Sequence, residues 1–97
     1  SVFYRNFGVD LMPTIAHSPD TQRFETTIDG HTAYLSYAII DDNTLNYHHT
    51  FVPPQLGGRG VGTALVKYAV QYANQNNKTI IPSCSFVAHY INKQHTT

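Results

Sequence analysis

A single cysteine, Cys84, stands in the whole chain, with one methionine and no tryptophan. A lone cysteine cannot build an internal disulfide framework and suits a reducing compartment, which sets the expectation of a cytoplasmic protein. Charge is equally sparse. Lys and Arg number 6 against 6 Asp and Glu, so the net charge is zero with neutral histidines. No basic field exists to hold nucleic acid or an anionic membrane, and neither is an expected partner. The apolar runs are far too short to span a bilayer. No charged-then-apolar signal segment opens the chain. Internal repeats and low-complexity tracts are absent too. What remains, 41% hydrophobic residues in a chain of 97, is the composition of one folded domain with a modest core.

Residues 1–22 read as an irregular segment, because Pro13 and Pro19, with Ser18 and Asp20, interrupt any regular element. Phe3, Tyr4, Phe7, Val9, Leu11 and Met12 are too apolar for a free tail. They are expected to pack on the domain or on a second subunit, which would make a homodimer.

The domain itself spans 23–97. Phe24, Thr26 and Ile28 alternate before Asp29-Gly30, a two-residue hairpin turn. A strand over 31–40 places Ala33, Leu35, Tyr37 and Ile39 on one face. After a turn at 41–43, a third strand over 44–52 places Leu45, Tyr47, His49 and Phe51 on one face, with Asn46, His48 and Thr50 on the other. Pro53-Pro54 must end it, since proline cannot donate to a ladder. Val61, Ala64, Leu65, Tyr68, Ala69, Tyr72 and Ala73 then form one apolar stripe, predicting a helix from about 58 to 76. A short buried strand over 79–81 follows, so strand, helix and strand imply a crossover and a parallel pair. Ser83 or Ser85 caps a last short helix with Phe86, Val87, Tyr90 and Ile91 facing inward, and 92–97 fray. The expected class is α/β (α+β): a twisted mixed sheet built on an antiparallel meander, one long helix and a short C-terminal one.

Four glycines, Gly57, Gly58, Gly60 and Gly62, sit directly before the long helix. Glycine lets backbone N–H groups approach a ligand closely. The first N–H groups of a helix lack intrahelical partners and carry partial positive charge. Gly57, Gly58, Arg59, Gly60, Val61, Gly62 and Thr63 are therefore the candidate anion site, best suited to a phosphate or pyrophosphate. A Walker loop would need lysine before the threonine, and Gly62 stands there. A dinucleotide fingerprint would need a third glycine where Leu65 stands.

This order of strand, proline-bearing turn, glycine loop, helix and strand resembles the GNAT acetyltransferase superfamily. The signature Arg/Gln-x-x-Gly-x-Gly/Ala is met at Gly60-Val61-Gly62, but Gly57 stands where the pattern has Arg or Gln. His49-Thr50-Phe51-Val52-Pro53-Pro54, the glycine block, and Ile81-Pro82-Ser83-Cys84-Ser85-Phe86-Val87 with Tyr90-Ile91 resemble in particular the minimal single-domain GNAT-like proteins, the YidJ-like group. The resemblance covers most of the chain from Arg23 to Asn92. It implies acetyl-CoA as cofactor, an amine as acceptor and transfer of the acetyl group between them. Full-length members carry two helices that help build the acceptor pocket where this chain has 22 irregular residues, so the expected acceptor is an amine of a protein or peptide. A non-catalytic acyl-CoA-binding module or sensor with the same core is the alternative.

The resemblance also implies roles. A bulge near Phe51–Pro53 would expose the Val52 amide to the thioester carbonyl. Cys84, in its Pro-x-Cys context at the start of the last helix, would protonate the departing thiolate or attack the thioester itself. A buried cysteine that merely packs is the competing reading. His49 is the candidate base, weighed against a histidine packed in the sheet. Tyr90 either lines the cofactor cleft or packs in the core. His48 and His49 point to opposite strand faces and cannot together chelate a metal, so no metal is expected.

Overall fold

The computed structural model describes residues 13–96, and the side chains of 13–93. The apolar stretch from Phe3 to Met12, with the packing expected of it, lies outside the described residues. Five strands form one sheet in sequence order: β1 (Ala16–Ser18), β2 (Arg23–Ile28), β3 (His31–Asp41), β4 (Thr44–Phe51) and β5 (Thr79–Ile81). The first three pairings are antiparallel and β4–β5 is parallel. Among the described residues two helices pack with the sheet, α1 (Val61–Gln75) and α2 (Ser85–Thr96).

The meander forms where turn chemistry and alternation agree. Asp29 and Gly30 both take left-handed φ, 52° and 80°, as a tight hairpin requires. Phe24, Ala33, Leu35, Tyr37, Leu45 and Tyr47 bury one face of the sheet against Val61, Leu65, Val66 and Ala69 of α1. Tyr47 fixes the two layers together. Its hydroxyl donates to the Ala69 carbonyl at 2.7 Å, so a fully buried phenol keeps a partner. Burial, reinforced by Tyr72 and Tyr37, pushes its pKa far up.

Several elements differ from the sequence reading. Residues 16–18 form an edge strand on β2, although Pro13 and Pro19 flank it closely. Proline is tolerated beyond the ends of a short edge strand. Helix α1 starts at Val61 rather than near residue 58, because Gly58 and Gly60 hold φ of 77° and 76°, incompatible with a right-handed helix. Strand β5 is half-exposed rather than buried, since it has β4 on one side and lies at the sheet edge. Phe86 points outward at 42% exposure, while α2 continues through the residues expected to fray. Ile39 continues the inward phase of β3 but is 58% exposed.

The largest difference is in β4. Tyr37 pairs with Tyr47, but the neighbouring Ser36 pairs with His49. His48 is thus an extra residue, a bulge well before the expected Phe51–Pro53 site. It reverses the alternation beyond it. Thr50 now stands opposite Leu35 on the core face, while His49 and Phe51 stand opposite Ser36 and Tyr34 on the outer face. The expected row of Leu45, Tyr47, His49 and Phe51 is therefore broken in the middle.

Candidate active site

The glycine loop is anchored before it opens. Pro54–Leu56 make one 3-10 turn, and Leu56 is buried in the core. The Gly57 N–H donates to the Pro54 carbonyl at 3.0 Å, so this amide closes the turn and is not offered to a ligand. From Gly58 the loop swings outward. A Cβ at Gly58 or Gly60 would meet nothing within 4 Å, so their left-handed backbone, not crowding, demands glycine.

Helix α1 begins without a cap. No side chain bonds its first amides and no acidic residue occupies its first turn. Its first intrahelical bond runs from Ala64 N–H to Gly60 carbonyl at 3.0 Å. The amides of Val61, Gly62 and Thr63 precede it and face a cavity of about 300 Å³ lined by the loop, Val52 and Phe86. Three donors without a partner among the described residues, at a positive helix end, fit an anion, and the cavity leaves space for one. Gly62 is the tight point. A Cβ there would lie 3.1 Å from the Phe86 ring and 3.3 Å from Val52 Cγ2, so its absence lets both side chains close on the helix start.

Arg59 is directed elsewhere. Its guanidinium pairs with Asp29 of the β2–β3 turn at 3.4 Å. Tyr90, half-buried on α2, lines a cleft with Thr63, Phe86, His89 and Lys93, of about 270 Å³. It also lines a second cleft, with Val70, Asn74 and Ile80 among others, of about 530 Å³. It therefore stands between the two helices rather than within the glycine cavity.

A splay leads from this cavity into the sheet. Strands β4 and β5 pair only from Thr44–Thr79 to Asn46–Ile81. Pro82 then turns the chain away, while β4 continues to Phe51. One further bond joins the two sides, from Cys84 N–H to the Tyr47 carbonyl at 3.0 Å. Beyond it lies Cys84, in the N-cap position of α2, its carbonyl accepting from Ala88 N–H at 3.0 Å. Its Sγ lies 3.6 Å from Thr50 Oγ1. Burial pushes the thiol pKa up, but the amides of Val87, Phe86 and Thr50 and the Thr50 hydroxyl outweigh it, and the net displacement is downward. A sulfur at a helix start, ringed by donors, is held as a thiolate more readily than an ordinary cysteine.

Val52 and Cys84 thus belong to one region, joined through Thr50 and Phe86. His49 does not join them. It is exposed on the outer face, its ring centroid 5.9 Å from that of Tyr34. Thr50 was invisible as a site residue in the sequence, where simple alternation put it on the opposite face from Tyr47. A signal for the bulge, such as a glycine at the kink, is lacking. Among the described residues no group of three or more His, Cys, Asp or Glu side chains gathers as a metal site, and no helix is long and apolar enough to cross a membrane.

The chain as a whole has counterparts among known proteins. The pattern of the GCN5-related N-acetyl-transferase family matches residues 23–97. Among solved structures, the solution structure of a GCN5-like protein from Staphylococcus aureus superposes with a TM-score of 0.67 at 36% sequence identity, covering 86% of this chain and 81% of that one.

Proposed function

Because the chain belongs to the GCN5-related N-acetyltransferase family, we propose that it is an acetyl-CoA-dependent N-acetyltransferase acting on an amine of a protein or peptide. The uncapped start of α1 behind the glycine loop carries the reading. The Val61, Gly62 and Thr63 amides would hold the pyrophosphate, and the β4–β5 splay would take the pantetheine arm toward Cys84. Val52, between the last ladder residue and Pro53, is the proposed donor to the thioester carbonyl.

The donors around Cys84 favour the nucleophilic role over the acidic one. Its thiolate would attack the thioester carbonyl, forming an S-acetyl bond as the carbon–sulfur bond to CoA breaks and CoA leaves as thiolate. The acceptor amine would then attack the S-acetyl carbonyl, lose a proton and return the Cys84 thiolate. His49, the base expected from the sequence, is exposed on the outer face beside Tyr34 and does not meet Cys84, so that proton is left to solvent where β4 and β5 splay. An open site suits a protein or peptide amine better than a small metabolite. A reducing, cytoplasmic setting fits the solitary thiol.

Calorimetric titration with acetyl-CoA and CoA, followed by intact mass after acetyl-CoA exposure, tests this. Binding with an acetyl mass gain that disappears in Cys84→Ala is the expected result. No binding at millimolar acetyl-CoA would end the whole reading. A second reading, a non-catalytic acyl-CoA-binding module, is favoured by Gly57 in the Arg/Gln position and by Arg59 turned to Asp29. Tight CoA binding with neither mass gain nor amine turnover would select it.

A further inference from the structure

The bulge at His48 has a chemical result at Cys84. Plain alternation from Tyr47 would turn Thr50 to the outer face and bring His49 to the core side. With the extra residue, Thr50 lies opposite Leu35 and its Oγ1 reaches within 3.6 Å of Cys84 Sγ, across 34 positions of sequence. The contact is braced on both sides. The Cys84 N–H is held on the Tyr47 carbonyl at 3.0 Å, and the Cys84 carbonyl takes the first bond of α2.

We propose that Thr50 is a positioning residue for Cys84: its Oγ1 accepts from the thiol S–H, and once that proton leaves, the hydroxyl turns to donate to the sulfur and holds it as a thiolate at the end of β4. The reading of Cys84 as nucleophile gives this arrangement its purpose. Four donors surround the sulfur: the Phe86 and Val87 amides from α2, and the Thr50 amide and hydroxyl from β4. Among the described residues no carboxylate, lysine, arginine or histidine contributes there. Three of the donors are backbone and survive any substitution that keeps the fold. The Thr50 hydroxyl is the one side-chain donor, so it alone can be removed by changing a side chain. Valine shares the branched outline of Thr50, so the substitution removes the hydroxyl with little change of shape.

The test needs no acetyl-CoA, so it separates this proposal from the cofactor reading. Cys84 is the sole cysteine, and its alkylation by iodoacetamide can be followed by intact mass as a function of pH. Thr50→Val should be alkylated about fivefold more slowly near neutral pH, the loss expected for one modest hydrogen bond. Its pH midpoint should move upward. Thr50→Ser should restore the wild-type profile. A Thr50→Val protein that melts normally and keeps the wild-type profile overturns the proposal, as does a Thr50→Ser protein that behaves like Thr50→Val. If the valine variant fails to fold, Thr50→Ala against Thr50→Ser gives the same comparison. Equal alkylation of those two overturns the proposal, and slower alkylation of the alanine variant supports it. Slower alkylation of Thr50→Val together with no acetyl-CoA binding would leave the thiol arrangement standing and remove only its assigned purpose.

Discussion

Arg59 and Asp29 meet at the rim of the glycine loop, guanidinium Nη1 to carboxylate Oδ2 at 3.4 Å. Asp29 sits at the tip of the β2–β3 hairpin, in the left-handed conformation that defines the turn. The rigid hairpin therefore presents a carboxylate to the only cation within the glycine loop. Both side chains are well exposed, 48% and 75%, so the pair contributes little to stability. Its consequence is for binding, since it competes with a phosphate for Arg59.

Asp29→Asn should accordingly leave the melting temperature nearly unchanged and tighten CoA binding about two- to threefold at low ionic strength. The gain should vanish at high salt, where surface charges are screened. Calorimetry at two salt concentrations reads both arms. Equal affinity of variant and wild type at low salt would mean that Arg59 does not engage the phosphates.

Gly60 and Gly62 should respond differently to alanine. At Gly60 the left-handed backbone penalises any side chain by about 1–2 kcal/mol, although space is open. Gly62 has ordinary helical backbone, where alanine gains about 1 kcal/mol of helix propensity, but its Cβ would press on Phe86 and Val52. The half-exposed Phe86 ring can swing away. Gly62→Ala should thus unfold near the wild-type denaturant midpoint yet bind CoA about tenfold more weakly, from the displaced ring and narrowed helix start. Gly60→Ala should lose stability first. Chemical denaturation combined with calorimetry distinguishes them, and a Gly62→Ala protein with full affinity would remove Phe86 from the site.

His17 links the edge strand to the core. Its ring stacks on Phe24 at 4.5 Å between centroids, and Nε2 shares a hydrogen bond of 2.7 Å with the Tyr37 hydroxyl. Burial lowers its pKa below the ordinary value of 6.5. The unfolded chain therefore takes up this proton more readily than the folded one. His17 favours folding fully above pH 6.5, and that contribution declines as pH falls below 6.5 toward the folded value. His17→Gln keeps a hydrogen-bonding side chain without the titration. The stability difference between the two proteins, from urea unfolding, should change in the mildly acidic range and stay constant above neutrality. A pH-independent difference would show that His17 does not titrate on unfolding.

Much of the fold was legible in the sequence because local signals and burial agree. Asp29-Gly30 names its turn, alternation names β2 and β3, and the stripe from Val61 to Ala73 names α1. The glycine loop was legible for the same reason, since the left-handed backbone at Gly58 and Gly60 asks for glycine. The site's inner half was not. Alternation has no memory of a bulge, and His48 is an ordinary strand residue that does not mark the extra step. One misplaced residue moves His49 outward and Thr50 inward. Strand β1 was missed because three residues between prolines carry no periodicity of their own, and the strand exists through its pairing with β2. Phe86 was read as inward because helical spacing alone cannot tell a core contact from a ring resting over a glycine.

The sheet runs in the same order as the chain. From β1 to β4 each strand can add to its predecessor through a short hairpin, at small cost in chain entropy. The joining of β5 to β4 is the exception, because the whole of α1 must be threaded between them. Three residue pairs hold that junction, against six between β2 and β3. The least local seam of the sheet, held by no more pairs than the edge strand β1, is also the one that opens toward Cys84. Its cleft is therefore a natural place for the chain to breathe, leaving the meander closed while the two sides of the seam part and rejoin.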